Sequence, residues 1–152
     1  RQRQMCIRDR MGAQMISYDK VNQLRHVRFL KDKKTTLILM EHHGALLRPR
    51  FDAFLAELEK LRPLEIARWT QPKGGYFIGL YTVPGCAKRT VELCQEAGLV
   101  ITQAGAAYPY GKDPMDSHIR IAPSYPSLPD VETAAKLFCT CLKLATLEKL
   151  LE

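Results

Sequence analysis

The sequence predicts an α+β fold, in which a small mixed or antiparallel sheet has helices packed on one face and is preceded by long helices. An apolar stripe that steps by three and four residues, typical of a helix, ends before Pro63. Beyond Pro63 the pattern changes to short aromatic and β-branched runs separated by glycine and proline, which predicts strands. A second helical pattern begins at Pro129 and closes the chain. The first stripe consists of Leu47, Phe51, Phe54, Leu55, Leu58 and Leu61.

Two helical segments are predicted in the first half of the chain. The first covers residues 19–31, with Asp19 as its N-cap. The second covers residues 35–61 and contains Pro49. Because proline lacks a backbone donor and its ring crowds the preceding turn, we expect a kink or a junction between two helices near Leu47.

Short elements are predicted to alternate in the second half. A helix over residues 87–97 should be closed by Gly98 as the first residue beyond its end. A loop rich in glycine and proline covers residues 104–116, and the final helix runs from Pro129 to the end of the chain. The predicted strands are residues 66–70, 76–82, 99–102 and 117–122.

Composition indicates a folded domain of ordinary size. The chain has 152 residues, of which 46% are hydrophobic and 26% charged, so a core can form and disorder is not expected. No apolar run approaches the roughly 20 residues that span a bilayer, so no membrane partner is expected. The cysteines show no zinc-ligand spacing and are predicted to be reduced core residues of a cytoplasmic protein.

Charge alone does not indicate a nucleic-acid partner. Residues 1–10, RQRQMCIRDR, resemble a translated sequencing adapter, and we expect them to be disordered and outside the fold. They contribute +3 of the net charge of +7, which leaves +4 for the rest of the chain. This mild excess, without aromatic residues interleaved among the basic ones, argues against an independent basic module that binds nucleic acid.

Three segments could carry a binding site. The paired glycines Gly74 and Gly75 before Tyr76 allow close approach of a ligand to the backbone, although a hairpin-like turn explains them equally well. Residues 18–26 place Lys20 and Asn22 at a helix start, which is also the pattern of an ordinary exposed first turn.

Arg120 is the third candidate. It lies between Ile119 and Ile121 in a predicted strand, so alternation places it on the face opposite the two isoleucines. A guanidinium there is either solvated or holds a carboxylate in a bidentate fork.

No metal site is predicted, because the adjacent His42 and His43 point to different helix faces.

Several strings occur together in a characteristic order: YDKVNQLRHVRFL, ARWTQPKGGYFIGL, VPG, EAGLVIT and HIRIAPS. Taken together they resemble the C-terminal half of fold-type-I aminotransferases that use pyridoxal 5′-phosphate, and in particular the MocR-like aspartate aminotransferase subgroup. The resemblance covers nearly all of residues 12–152. It implies that residues 11–34 end the large domain or form an interdomain helix, and that residues 35–152 form the small C-terminal domain.

The resemblance also implies roles for single residues. Arg120 matches the arginine that binds the substrate α-carboxylate. Tyr108 would line the entrance of the site. The resemblance further implies a homodimer that transfers an amino group between an amino acid, aspartate above all, and a 2-oxo acid. The resemblance places Gly74, Gly75 and Tyr76 in a backbone segment near the mouth of the active site. It places Lys20 and Asn22 in a segment near an active site, either that of the same subunit or that of the neighbouring one.

One part of the family pattern is missing. The Schiff-base lysine of the family follows a Ser-x-Ser pattern, and no serine of this chain precedes a lysine in that way; the serines are Ser17, Ser117, Ser124 and Ser127. We therefore expect no catalytic residue in this chain, leave its cofactor-binding residues unassigned, and expect it to be inactive by itself. The alternative is the effector-binding domain of a GntR-type transcription regulator, which an upstream DNA-binding domain would distinguish.

Overall fold

The computed structural model describes residues 2–14 and 18–151, so Arg1, Ser17 and Glu152 of the predictions above lie outside the described residues. The chain divides into two compact units, Arg1–His42 and His43–Glu152. The division falls inside one continuous helix, later than the predicted boundary between residues 34 and 35. Among the described residues, none of the helices combines the length and hydrophobicity that a membrane crossing requires.

The first unit contains helices α1 (Gln2–Gln14) and α2 (Lys20–Leu30) and the start of α3 (Lys33–Glu59). The carboxylate of Asp19 accepts a hydrogen bond from the backbone N–H of Asn22 at 2.9 Å, which confirms the predicted N-cap. Residues 2–10, for which disorder was expected, belong to helix α1. Arginine, glutamine and methionine there have high helix propensity, and they form an exposed helix.

Helix α3 continues through Pro49, so of the two expected alternatives the junction between two helices is wrong, and the kink stays a prediction. The proline removes one backbone hydrogen bond at a cost of about 3 kcal/mol. Burial of Phe51, Phe54 and Leu58 downstream offsets that cost, because each such side chain contributes roughly 1.5–3 kcal/mol when removed from water. The Arg50 guanidinium also donates to the carbonyl oxygen of Leu46 at 2.6 Å, one turn back.

A three-stranded sheet forms the centre of the second unit. Its strands are β1 (Ala67–Trp69), β2 (Ile78–Thr82) and β3 (His118–Ile121), in that spatial order. Both pairings are antiparallel, which resolves the predicted choice between a mixed and an antiparallel sheet. In the β2–β3 register, Gly79 lies opposite Arg120 and Tyr81 opposite His118.

Helices cover one face of this sheet, as predicted. The strands present Ile78, Leu80, Ile119 and Ile121 to the core, all at most 4% exposed. Helices α3, α4 (Ala87–Glu96) and α5 (Leu128–Leu151) supply the apolar residues that pack there. The rings of Phe54 and Phe138 join α3 to α5, with their centres 5.8 Å apart.

The segment 99–102 was predicted as a strand, and this is wrong. Gly98, with φ +85°, ends α4 as predicted, and the backbone N–H of Leu99 donates to the carbonyl of Cys94 at 2.8 Å. Val100 is 87% exposed. Strand propensity of β-branched residues depends on a neighbouring strand to pack against, and the described residues provide none here.

Candidate functional site

The outer face of the sheet, opposite the helices, is polar and aromatic. Alternation along β3 points Ile119 and Ile121 into the core and leaves Arg120 on the outer face, which confirms the predicted orientation. The register then places Gly79 and Tyr81 of β2 on the same face. Two arginines stack on aromatic rings on this outer face, Arg120 on Phe77 and Arg68 on Tyr81.

Arg120 is half-buried on this face and lacks a carboxylate partner among the described residues. Its guanidinium carbon lies 4.6 Å from the centre of the Phe77 ring. Its Nε is buried without a hydrogen-bond partner. A buried polar group without a partner costs about 1–3 kcal/mol, so contacts among the described residues do not explain why an arginine is placed here.

His118 lies two residues before Arg120 on the same face and is only 8% exposed. Its ring lies between two tyrosines, with ring centres 4.9 Å from Tyr81 and 5.9 Å from Tyr108. Its Nδ1 is buried and has no hydrogen-bond partner. The rings of Tyr81 and Tyr108 therefore bury the His118 imidazole on the outer face of the sheet, away from the hydrophobic core.

A tight loop places Tyr108 against this histidine. The backbone N–H of Gly105 donates to the His118 carbonyl at 3.4 Å, and that of Tyr108 donates to the Gly105 carbonyl at 2.9 Å. Gly105 has φ +80°, and a Cβ there would lie 2.5 Å from the carbonyl oxygen of Gly111. Only glycine fits this position, so the loop depends on it.

Asp113 fixes the entry into β3. Its carboxylate accepts backbone hydrogen bonds from Ser117 and His118, both at 2.8 Å, and from Met115 at 3.0 Å. Desolvation raises the pKa of this carboxyl, but the three backbone donors outweigh it and hold the pKa below the ordinary 3.8. Asp113 is therefore a structural anion that holds the backbone of the site.

The predicted glycine pair lies next to the stacking partner of Arg120. Gly74 and Gly75 precede Tyr76 and Phe77, and no heavy atom beyond their chain neighbours lies within 4 Å of a Cβ built on either glycine. Gly75 has φ +86°, and Tyr76 is 55% exposed. The space beside both glycines is therefore open, and a binding role for the pair stays a prediction.

Lys20 and Asn22 belong to the other compact unit. Both are exposed residues of the first turn of α2. The backbone carbonyl of Asn22 forms a hydrogen bond of 2.8 Å with Nδ1 of His26. The backbone N–H of Asn22 donates to the carboxylate of Asp19, the N-cap of the helix. Their part in a binding site stays a prediction.

Sequence reasoning assigned no role to Phe77, His118 or Thr70. Alternation from Arg120 places His118 on the same face, and that signal was available in the sequence. The position of Phe77 depends on the register between β2 and β3, which a single sequence does not reveal.

The outer face fits an anionic ligand better than it fits the covalent attachment of a cofactor. Its polar groups are the Arg120 guanidinium, the His118 imidazole and the Thr70 hydroxyl. Every lysine that the structure describes is exposed. An amine that acts as a nucleophile is commonly desolvated, which keeps it neutral and reactive, and no lysine in the described ranges has that environment.

Comparisons with known proteins show the family to which the chain belongs. A family model described as aspartate amino-transferase matches residues 4–152. An aminotransferase of Mycolicibacterium smegmatis is 51% identical over 142 residues, which cover 92% of this chain and 33% of the relative. The crystal structure of an aspartate transaminase from Corynebacterium glutamicum matches with a TM-score of 0.86 and 41% identity, over 93% of this chain and 34% of that one. A kynurenine aminotransferase of Pyrococcus horikoshii in complex with PMP matches with a TM-score of 0.57 and 26% identity, over 65% of this chain and 24% of that one.

This chain spans about a third of the length of the first two of these proteins, 33% and 34% respectively. All three are named as aminotransferases or transaminases, which does not support the alternative of a transcription regulator. The family model covers nearly the whole chain, and the crystal structure of the transaminase matches over 93% of it. The chain belongs to the aspartate aminotransferase family.

Proposed function

We propose that this chain is the substrate-binding, C-terminal part of an aminotransferase that moves an amino group between an amino acid and a 2-oxo acid. The observation that carries the proposal is Arg120, a half-buried guanidinium stacked on Phe77 with an unpartnered Nε and no carboxylate of its own. The names of the relatives support aspartate as the amino donor. Membership of the MocR-like subgroup is part of the same proposal.

Arg120 binds the α-carboxylate of the substrate. A guanidinium matches a carboxylate through two parallel N–H···O bonds, and a hydrogen bond to a charged group contributes about 1.5–3 kcal/mol. The Phe77 ring orients the guanidinium before substrate arrives, so less side-chain entropy is lost on binding. Gly75, Tyr76 and Tyr108 line the approach to it.

Pyridoxal 5′-phosphate, when bound, supplies the electron sink for amino-group transfer. The PMP complex of the kynurenine aminotransferase supports this choice of cofactor. In this proposal the residues of this chain bind and orient the substrate, and the Schiff-base lysine expected from the family pattern is not among the lysines of this chain. The chain alone is therefore inactive.

The remaining parts of the proposal concern organisation. Residues 11–34 link the two domains and residues 35–152 form the small domain. Lys20 and Asn22 approach the active site of the neighbouring subunit in a homodimer. Four of the five cysteines are buried and all five are free, which supports a reducing cytoplasmic location.

Kinetics of the full-length protein test the role of Arg120. Arg120→Ala should raise the KM for aspartate at least about tenfold, because it removes the carboxylate fork. Arg68→Ala is the matched control, since Arg68 is an exposed arginine of the same sheet that stacks on Tyr81. An unchanged KM in Arg120→Ala would remove Arg120 from this role.

Cofactor binding tests the second part. Pyridoxal 5′-phosphate added to the purified chain and reduced with borohydride should label exposed lysines weakly and without preference. A stoichiometric adduct at one lysine would show that the chain contains its own attachment site.

A further inference from the structure

We infer that the free edge of the sheet, along β1, binds an extended segment of a partner protein in which one acidic residue lies between two apolar residues. The segment extends the sheet by one antiparallel strand. Its acidic side chain pairs with Arg68, and its apolar side chains lie beside Ala67 and Trp69. We call the outward side of these three residues the β1 edge. The inference is independent of Arg120 and of the proposed function.

Hydrogen bonds show which backbone groups of β1 point away from the sheet. The strand is an outer one, with β2 on one side only. The backbone N–H of Thr70 donates to the carbonyl of Gly79 at 2.9 Å, and the carbonyl of Ile66 accepts from the residue just beyond β2 at 3.2 Å. In an antiparallel pair, alternate residues direct their backbone groups to the partner. The N–H and C=O groups of Ala67 and Trp69 therefore point outward.

These outward groups are open to a further strand. In the described ranges, no hydrogen bond joins the backbone of Ala67 or Trp69 to a side chain or to a loop. Unpaired N–H and C=O groups along an edge form a template on which an extended peptide adds a strand. A cleft of about 550 Å³ borders the same residues, so there is room for such a peptide.

Arg68 determines the charge that the edge favours. Its guanidinium carbon lies 4.9 Å from the centre of the Tyr81 ring, which holds the side chain on the outer face. Arg62, which also borders the cleft, already binds Glu59 through two hydrogen bonds of 2.6 and 2.7 Å. Arg68 lacks a carboxylate partner in the part of the chain that the structure describes. A carboxylate directly opposite Arg68 therefore completes a cross-strand ion pair.

The register of an added strand fits this pairing. Because Arg68 uses its backbone groups on β2, it forms a non-hydrogen-bonded pair with the new strand, and side chains are closest in such pairs. Ala67 and Trp69 point to the other face, where they are half-buried against the hydrophobic core, so apolar side chains fit opposite them. Glu65 also borders the cleft, which favours a single acidic residue over a run of them.

A second copy of this chain fits the edge less well than such a segment. In the symmetrical antiparallel register, Arg68 would lie directly opposite its own copy, and like charges in that position destabilise a strand pair. The unliganded chain should therefore not associate through β1. Sedimentation that shows a dimer, which Ala67→Pro then dissociates, would overturn the assignment of the occupant.

Three capped peptides test the inference, and Trp69, the only tryptophan in the sequence, reports binding through its fluorescence. The first is acetyl-Thr-Val-Glu-Val-Thr-amide, and the second has glutamine in place of glutamate. The third is the first with N-methyl groups on both valines, which removes the donors that face Ala67 and Trp69. The first peptide should bind the purified chain saturably at or below about 1 mM, and the third should not bind.

Two variants locate the contacts. Ala67→Pro removes an outward N–H but leaves the hydrogen bonds to β2, so it should lower the affinity for the first peptide about fivefold. Ala67→Ser keeps that N–H and is the matched control. The unsubstituted chain should prefer the glutamate peptide to the glutamine peptide two- to fivefold, roughly, and Arg68→Ala should bind both equally. Circular dichroism checks that each variant is folded.

The outcomes test each part of the inference. Absence of a saturable change in Trp69 fluorescence with the first peptide, or equal binding of the N-methylated peptide, would overturn strand addition at the β1 edge. The N-methylated peptide tests the same hydrogen bonds in the unsubstituted chain if Ala67→Pro does not fold. A preference for glutamate that persists in Arg68→Ala would overturn the pairing of the acidic residue with Arg68.

Discussion

The guanidinium carbon of Arg120, in β3, lies 4.6 Å from the centre of the ring of Phe77, the residue that directly precedes β2. The negative face of the ring attracts the cation and limits the positions that the side chain adopts. Phe77 is otherwise 47% exposed, so burial does not explain an aromatic residue there. We attribute the aromatic residue at this position to its contact with Arg120, which orients the guanidinium.

Phe77→Ala should therefore weaken carboxylate binding without unfolding the chain. Cation–π contacts at exposed positions contribute about 0.5–1 kcal/mol, which corresponds to a loss of roughly two- to fivefold in affinity for succinate. NMR titration measures the change. Tyr125→Ala, which removes an aromatic ring that is 96% exposed, should leave the affinity as it is. Equal effects of both substitutions would show that the stacking does not orient Arg120.

Gly105→Ala should displace the loop that carries Tyr108. The new methyl group would meet the Gly111 carbonyl at 2.5 Å, and the residue would also be held at φ +80°. Gly98→Ala is a matched control, because it imposes similar strain at φ +85° with no neighbour within 4 Å of the added carbon. Strain of this kind costs about 1–2 kcal/mol.

Urea denaturation of the two variants separates strain from collision. Gly105→Ala should be the less stable of the two, and it alone should change the NMR signals of Tyr108 and His118. Equal stabilities, with unchanged signals, would mean that the loop accommodates a side chain at residue 105.

Local patterns were enough to predict much of the fold. The apolar stripe around Phe54 and Leu58, the alternation around Arg120 and the cap at Asp19 each depend on neighbours within a few residues. Such features follow from helix and strand periodicity alone. They located the sheet, the helices that cover it and the face on which Arg120 lies.

Other features depend on contacts between distant parts of the chain. Residues 99–102 have strand propensity but no neighbouring strand among the described residues, and Pro49 is tolerated because the helix beyond it is anchored in the core. The pairing of Gly79 with Arg120 brings Phe77 close to the guanidinium. Register and tertiary packing decide these points, and neither can be read from one sequence.

Asp113 should make stability depend on pH in acid. Its folded-state pKa lies below the 3.8 of the unfolded chain, so its contribution is complete above that value and is lost as the pH falls through the folded-state pKa. Asp113→Ala should cost about 1–2 kcal/mol at neutral pH, by analogy with the loss of a carboxylate cap. The difference from the unsubstituted chain should shrink as the pH falls below 3.8.

Urea denaturation at neutral and acidic pH measures this difference. Asp52→Ala, at an exposed position of α3, is the control and should show a small effect at both pH values. If the loss of unfolding free energy in Asp113→Ala were the same at acidic as at neutral pH, the stabilising role assigned to the ionised carboxylate of Asp113 would be contradicted.

The affinity of the purified chain for aspartate, measured by calorimetry with Arg120→Lys, tests the central claim most directly. Lysine keeps the positive charge but lacks the planar fork, so the account predicts that affinity falls at least about tenfold. Arg68→Lys, on the same sheet, should leave the affinity unchanged. Equal affinities of the unsubstituted chain and Arg120→Lys would contradict the claim that the Arg120 guanidinium binds the substrate carboxylate.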